Sequence, residues 1–122
     1  MVAAALPPSP PAIVRAWSRA LNANDNVAAA ALFAPRARVI QPGVDVFLSP
    51  RLALAFNESL PCGGKIVHQT RKGDRIVVTF LLTERPRHRC DAPGQKAAAA
   101  FTVRRGKIVR WEQIPVPESP TA

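Results

Sequence analysis

Apolar residues in the first half of the chain recur at the spacing of amphipathic helices. The first such run starts after the Ser-Pro pair at residues 9–10, where serine caps a helix and proline fits its first position. The segment Asn22–Asp25 ends this first helix. The same Ser-Pro signature at residues 49–50 predicts another helix, which Pro61 stops, and a short helix is predicted over residues 26–33 between them.

The second half changes to the alternation of apolar and polar residues that is typical of strands. Residues 65–71 and 75–89 predict a hairpin, and residues 96–104 and 107–114 predict a second one. A further short strand is predicted over residues 38–41. Three helices followed by a strand meander indicate an α+β fold, with the helices packed on one face of a mixed sheet.

The long strand predicted over residues 75–89 is apolar on both faces. Its two faces are formed by Ile76, Val78, Phe80 and Leu82 on one side and by Val77, Thr79 and Leu81 on the other. The helices can cover one face, but the chain offers no second layer for the other. We therefore expect a homodimer that forms through the sheet.

Length and composition indicate one domain between two short tails. A chain of 122 residues with 48% hydrophobic content fits one compact domain and excludes wholesale disorder. Proline-rich tails are predicted at residues 1–11 and 115–122, which leaves a single domain over residues 12–114. No apolar run approaches a membrane-spanning length, and residues 1–11 lack the basic start of a signal peptide, so we expect no membrane partner.

The net charge of +9 is the unusual feature of the composition, with 17 Lys and Arg against eight Asp and Glu. The basic residues cluster at predicted turns and strand ends, and no aromatic residues interleave with them as a stacking platform for single strands needs. We expect no specific nucleic-acid partner, although a chain of this charge binds polyanions at low salt.

The two cysteines have no metal-ligand spacing. In the simple register of the first predicted hairpin, Cys62 and Cys90 lie roughly 20 Å apart, well beyond the reach of a disulfide. We therefore expect two free thiols, no bound metal and a reducing, cytoplasmic location.

Several segments resemble the nuclear transport factor 2-like superfamily, which includes the SnoaL-like and ketosteroid isomerase-like proteins, and its limonene epoxide hydrolase branch. The segments are AIVRAWSRALNAND at 12–25, ALFAP at 31–35, VIQP at 39–42, LTER at 82–85 and GKIVRW at 106–111. The resemblance implies a cone-shaped, cystatin-like α+β barrel. In such a fold a curved mixed sheet wraps around three N-terminal helices and encloses a pocket, and dimers through the sheet are frequent.

The resemblance also implies where the catalytic groups of these families would lie. Where ketosteroid isomerases carry an Asp base this chain has Gln41, and where their oxyanion hole has a Tyr it has Trp17. Their protonated Asp falls near Ala99, which has no polar group. Without the base and the acid, ketosteroid isomerase chemistry is argued against.

The epoxide hydrolase pattern is incomplete in the same way. Arg85 is kept, but the positions of the two carboxylates that activate water are Arg87 and Gln113. Strand alternation would place Arg85 and Arg87 on one face, where two arginines would suit an anion or the solvent.

These residues predict a pocket for a small hydrophobic molecule, either neutral or anionic. Its predicted lining is Trp17, Gln41, Arg85, Arg87, Ala99, Trp111 and Gln113. Gln41, Gln113 and Arg85 are the candidate catalytic residues: the amides, with the Trp17 indole, would polarise a carbonyl, and an arginine would hold a carboxylate. No organic cofactor is expected. Isomerase, hydrolase or lyase chemistry stays open beside binding alone. The first alternative is a non-catalytic dimeric interaction or accessory domain, and the second is a nucleic-acid or polyanion binder.

Overall fold

The computed structural model describes residues 6–118, so the outermost parts of both predicted tails, residues 1–5 and 119–122, lie outside the described residues. Within residues 6–118 the elements are α1 Pro10–Asn22, α2 Asn26–Ala31, β1 Phe33–Gln41, β2 Val44–Leu48, α3 Pro50–Ser59, β3 Gly63–Lys72, β4 Arg75–Thr83, β5 Lys96–Arg104 and β6 Lys107–Ile114. The predicted α+β class is confirmed. None of the helices in this part of the chain has the length and apolarity to cross a membrane.

Both predicted Ser-Pro helix starts are confirmed. The side chain of Ser9 accepts a hydrogen bond from the backbone N–H of Ala12 at 3.3 Å. Ser49 accepts one from the N–H of Leu52 at 3.2 Å. Each serine thereby satisfies one of the free donors at the start of its helix, and the following proline has no donor to lose.

The six strands form one mixed sheet in the order β2-β1-β6-β5-β4-β3. Strands β1 and β6 pair in parallel, and all other neighbours pair antiparallel. The two predicted hairpins are confirmed as β3–β4 and β5–β6. Helix α1 packs against β3, β4 and β5, whereas α2 and α3 pack against β1, and all three helices contribute to one core.

The first strand is longer than predicted, and the strand after it was missed. The prediction ended the strand at Pro42-Gly43, whereas this pair is the two-residue turn of a hairpin between β1 and β2. Gly43 has a φ of +76°, which glycine adopts without steric strain. The Pro-Gly pair was therefore a signal for a tight turn, with glycine at the position of positive φ.

The fourth strand is shorter than predicted, because β4 ends at Thr83 and not at residue 89. Thr83 pairs with Gly63, the first residue of β3, and β5 begins opposite Leu81. Residues beyond 83 consequently have no partner strand, and Pro86 has no N–H to offer one. Residues 84–95 form the β4–β5 loop instead.

The core lies between the helices and the inner face of the sheet, and aromatic rings form its centre. The ring centroids of Trp17 and Phe101 are 5.3 Å apart, and those of Phe56 and Trp111 are 5.0 Å apart. Both pairs meet edge to face, which is a favoured arrangement of aromatic quadrupoles. The aromatic residues of α1 and α3 thereby fix both helices against β5 and β6.

The C-terminal end of α1 is attached to β3 by two reciprocal hydrogen bonds. The side chain of Asn22 donates to the carbonyl of Gly64 and accepts from its N–H, each at 2.8 Å. A Cβ at Gly63 would lie 2.5 Å from the Asn22 oxygen, so only glycine permits this approach. The contact holds α1 against the sheet, where Trp17 packs on Phe80 and Phe101.

Candidate functional site

A cavity of about 270 Å³ lies between α1, the inner face of the sheet and the junction of α3 with β3. Its walls are mainly apolar and include three aromatic rings, those of Trp17, Phe80 and Trp111. Small residues, Ala97 and Ala99, leave the space that larger side chains on β5 would fill.

Five of the predicted pocket residues line this cavity: Trp17, Gln41, Ala99, Trp111 and Gln113. The sheet register explains why the two amides lie together. Ile40 of β1 pairs with Glu112 of β6, so that Gln41 and Gln113 are neighbours one residue further on. Gln113 in turn pairs with Ala99 of β5. Gln41 is half-buried and Gln113 is exposed, which places both amides towards the mouth.

The two indoles on the cavity wall differ in their hydrogen bonding. The Nε1–H of Trp17 donates to the side-chain oxygen of Asn57, which is fully buried, at 2.8 Å. The buried Nε1–H of Trp111 has no acceptor among the described residues. The predicted use of the Trp17 indole as a ligand donor is therefore wrong, because that donor is already paired, and the free donor belongs to Trp111.

Arg85 does not line the cavity, contrary to the prediction. It is only 2% exposed and lies against the C-terminal end of α3. Its Nη1 donates to the carbonyls of Asn57 at 2.8 Å and Leu60 at 2.6 Å, and its Nη2 donates to the side-chain oxygen of Asn26. These carbonyls belong to the helix end, which carries partial negative charge and lacks intrahelical donors. Arg85 is thus a helix cap.

The buried guanidinium has no ion pair with any of the described carboxylates. Burial lowers the pKa of Arg85, and the nearby carboxylate of Glu58 opposes this shift. An arginine nonetheless stays charged at any physiological pH, so the carbonyl dipoles of α3 carry the compensation.

Arg87 does not line the cavity either. It is exposed in the β4–β5 loop, with a φ of +63°. The prediction that Arg85 and Arg87 share a face is wrong because strand alternation stops where β4 ends. The pair therefore cannot hold a ligand carboxylate in this cavity.

The two cysteines form a disulfide, so the prediction of free thiols is wrong. Their Cα atoms are 4.4 Å apart. The prediction extended the hairpin through residue 90, but the chain doubles back after Thr83 and returns Cys90 to the start of β3. The N–H of Cys90 donates to Glu84 Oε2 at 3.2 Å within this reversal. The predicted cytoplasmic location rested on free thiols and loses that support.

Asp91 lines the cavity and was missed by the sequence analysis. It follows Cys90, and the disulfide brings it beside Cys62, with 3.5 Å between its Oδ1 and the Cys62 sulfur. The alternation pattern of the strands does not predict that Asp91 lies beside Cys62, because this contact depends on how the β4–β5 loop closes. Asp91 carries the only charge among the described residues of the cavity wall.

Only one group of potential metal ligands occurs in the described part of the chain, formed by Cys62, Cys90 and Asp91 within 4.8 Å of one another. Metal coordination by cysteine requires thiolates, and both sulfurs are bonded to each other here. The three residues therefore do not form a set of metal ligands, and only the Asp91 carboxylate could interact with a cation.

The sequence matches the model of the SnoaL-like domain over residues 14–111. The chain belongs to this family. Comparison with curated proteins found no match.

Several solved structures share the fold of this chain. One is a protein from Sinorhizobium meliloti provisionally described as a polyketide cyclase, with 24% identity, a TM-score of 0.68, and coverage of 85% of this chain and 94% of that one. Another is a nuclear transport factor 2-like protein of unknown function from Cytophaga hutchinsonii, with 11% identity, a TM-score of 0.73 and 93% coverage of both chains.

A third structure contains a small organic molecule. It is a protein with a ketosteroid isomerase-like fold from Catenulispora acidiphila in complex with trimethylamine, with 18% identity, a TM-score of 0.67, and coverage of 86% of this chain and 85% of that one. These likenesses establish the nuclear transport factor 2-like, cystatin-like fold, which confirms the predicted architecture.

The helix-capping role of Arg85 predicts a large stability loss for Arg85→Met. The variant leaves the carbonyls of Asn57 and Leu60 without their donor in a buried place, and we expect the free energy of unfolding to fall by about 3 kcal/mol. Denaturant unfolding measures this. Arg89→Met, an exposed change in the same loop, is the matched control and should stay within about 0.5 kcal/mol of wild type. Equal stability of the two variants would contradict the capping role.

Proposed function

We propose that this protein binds a small, largely apolar molecule that carries a hydrogen-bond acceptor, in the cavity between α1 and the sheet. The observation that carries the proposal is the buried Nε1–H of Trp111, a residue of the cavity wall, since this donor has no acceptor in the described part of the chain. Buried donors in proteins are nearly always paired, so an oxygen of a bound molecule is the partner that this donor lacks.

The size and lining of the cavity support a small ligand. Its volume of about 270 Å³ exceeds the roughly 150 Å³ that holds benzene in an engineered cavity. It is slightly below the range of about 300–1,000 Å³ that is typical of drug-sized ligands. Apolar walls with a few placed polar groups are the usual composition of such sites.

The chemistry of the cavity favours binding over turnover. Amides such as those of Gln41 and Gln113 orient a ligand by hydrogen bonds but do not accept a proton as a general base. Asp91 is a single, exposed carboxylate without a partner acid on the cavity wall. The similar fold that binds trimethylamine supports the view that this architecture accommodates a small organic molecule.

We also propose that the protein is a homodimer through the outer face of its sheet. Val77 and Leu81 of β4 are half-buried on that face, and the pairing partner of Val77 is the small residue Ala100 of β5. An apolar strip flanked by small residues allows a second sheet to approach closely.

The unpaired indole predicts that acetophenone binds about fivefold tighter than ethylbenzene, which has a similar shape but no oxygen, because a hydrogen bond contributes about 1 kcal/mol. Isothermal calorimetry measures both affinities. In Trp111→Phe a smaller aromatic ring remains and the donor is lost, so the two probes should bind equally. An unchanged preference in Trp111→Phe would rule out this donor as the anchor.

Filling the cavity tests where the probe binds. Ala97→Leu extends a half-buried side chain of the cavity wall, and it should abolish acetophenone binding while the protein remains folded by circular dichroism. Ala23→Leu adds the same atoms at an exposed position outside the cavity and should bind as wild type does. Equal loss in both variants, or none in Ala97→Leu, contradicts the proposed site.

The dimer proposal predicts a solution mass of twice the 13.2 kDa of one chain. Val77→Lys places a charge in the proposed interface and should give the monomer mass in light scattering, because burying an unpaired charge is unfavourable. Val67→Lys on the edge strand β3, where the side chain is already exposed, is the control and should remain dimeric. A wild-type mass of one chain at about 100 μM would end the proposal.

A further inference from the structure

We infer that the ligand of this cavity carries a protonated amine, whose positive charge meets the carboxylate of Asp91. The inference rests on the proposed binding function and adds to it the charge of the ligand. It replaces the neutral or anionic ligand expected from the sequence, because the arginines behind that expectation lie outside the cavity.

The sign of the ligand charge follows from the groups that line the cavity and not from the net charge of +9. Although the chain has 17 Lys and Arg, none of the described residues of the cavity wall is a lysine, arginine or histidine. Exposed charges further away are screened over a Debye length of about 8 Å at physiological salt. A bound carboxylate would therefore meet only the negative charge of Asp91.

Asp91 is available for a ligand because it forms no ion pair within residues 6–118. By contrast, Asp45 is paired with Arg38 at 2.6 Å, and Asp74 with Arg104 at 2.8 Å. The disulfide at the preceding residue holds the backbone of Asp91 at the cavity wall. The carboxylate therefore lies at the cavity wall without an ion-pair partner among the described residues.

The remaining wall suits an ammonium group as well. Cations are attracted to aromatic ring faces within about 6 Å of the ring centroid, and three aromatic residues, Trp17, Phe80 and Trp111, line the cavity. The side-chain oxygens of Gln41 and Gln113 can accept hydrogen bonds from the ammonium protons. An apolar body with an amine at the mouth and an oxygen near Trp111 would satisfy all of these groups.

Three probes of the same size test the charge preference: benzylamine, benzyl alcohol and benzoate, titrated into the full-length protein by isothermal calorimetry at neutral pH. We expect benzylamine to bind about fivefold tighter than benzyl alcohol, since the ion pair is at an exposed mouth, and benzoate to bind most weakly. Asp91→Asn should bring benzylamine to the affinity of benzyl alcohol and leave benzyl alcohol within twofold.

Glu118→Gln removes the same charge from an exposed residue outside the cavity and is the matched control. It should leave all three affinities as in wild type, which separates the local carboxylate from net charge. Benzoate binding as tightly as benzylamine, or an unchanged preference in Asp91→Asn, would overturn the inference while the binding function stands. Failure of all three probes to bind would overturn the binding function and, with it, this inference.

Discussion

A buried guanidinium holds the loop after β4 to the end of α3. Arg85 donates to two carbonyls at the C-terminal end of that helix and to the side chain of Asn26 at the start of α2. Helix ends leave such carbonyls without partners, and a buried cation without hydrogen bonds would be strongly unfavourable. The helix-end carbonyls and the two terminal nitrogens of the guanidinium are therefore partners of one another, but only while the loop is folded back from the sheet.

The Cys62–Cys90 disulfide closes the same junction a few residues later. It joins residues separated by 28 positions, and a cross-link of that length contributes about 3–4 kcal/mol by restricting the unfolded chain. The loop is held at Arg85 by the helix cap and at Cys90 by the disulfide. Asp91, the residue after Cys90, lies on the cavity wall. The sheet and α1 supply the apolar volume of the cavity, whereas this loop supplies its charge.

Local patterns were enough to predict most of the fold. The Ser-Pro caps, the two hairpins and the alternation of β6 follow from interactions between residues close in sequence, and the pairing of Gln41 with Gln113 follows once the fold is known. The loop and its consequences could not be predicted in this way. The prediction carried the strand past Thr83, but a strand ends where its partner strands end, and partner strands are a non-local property.

The errors that concern the arginines, the cysteines and Asp91 have that single origin. Extending β4 to residue 89 put Arg85 and Arg87 on one face, kept the cysteines apart and gave no reason to consider Asp91. Pro86, which has no N–H, and the absence of apolar side chains over residues 84–89 apart from this proline were local signals that the strand would stop early. The error at Trp17 has a different origin. The sequence predicts two indoles near the cavity, but it does not predict which of them donates its hydrogen bond to Asn57.

The most direct test of this account is the nitrogen–proton NMR spectrum of the two indole groups during a titration with acetophenone. The chain has two tryptophans, so the spectrum contains two indole resonances, which a Trp111→Phe variant assigns. If the Trp111 Nε1–H donates to the ligand, its resonance moves downfield on binding. The resonance of Trp17, which already donates to Asn57, changes much less. Saturation with no change at Trp111 would contradict this account.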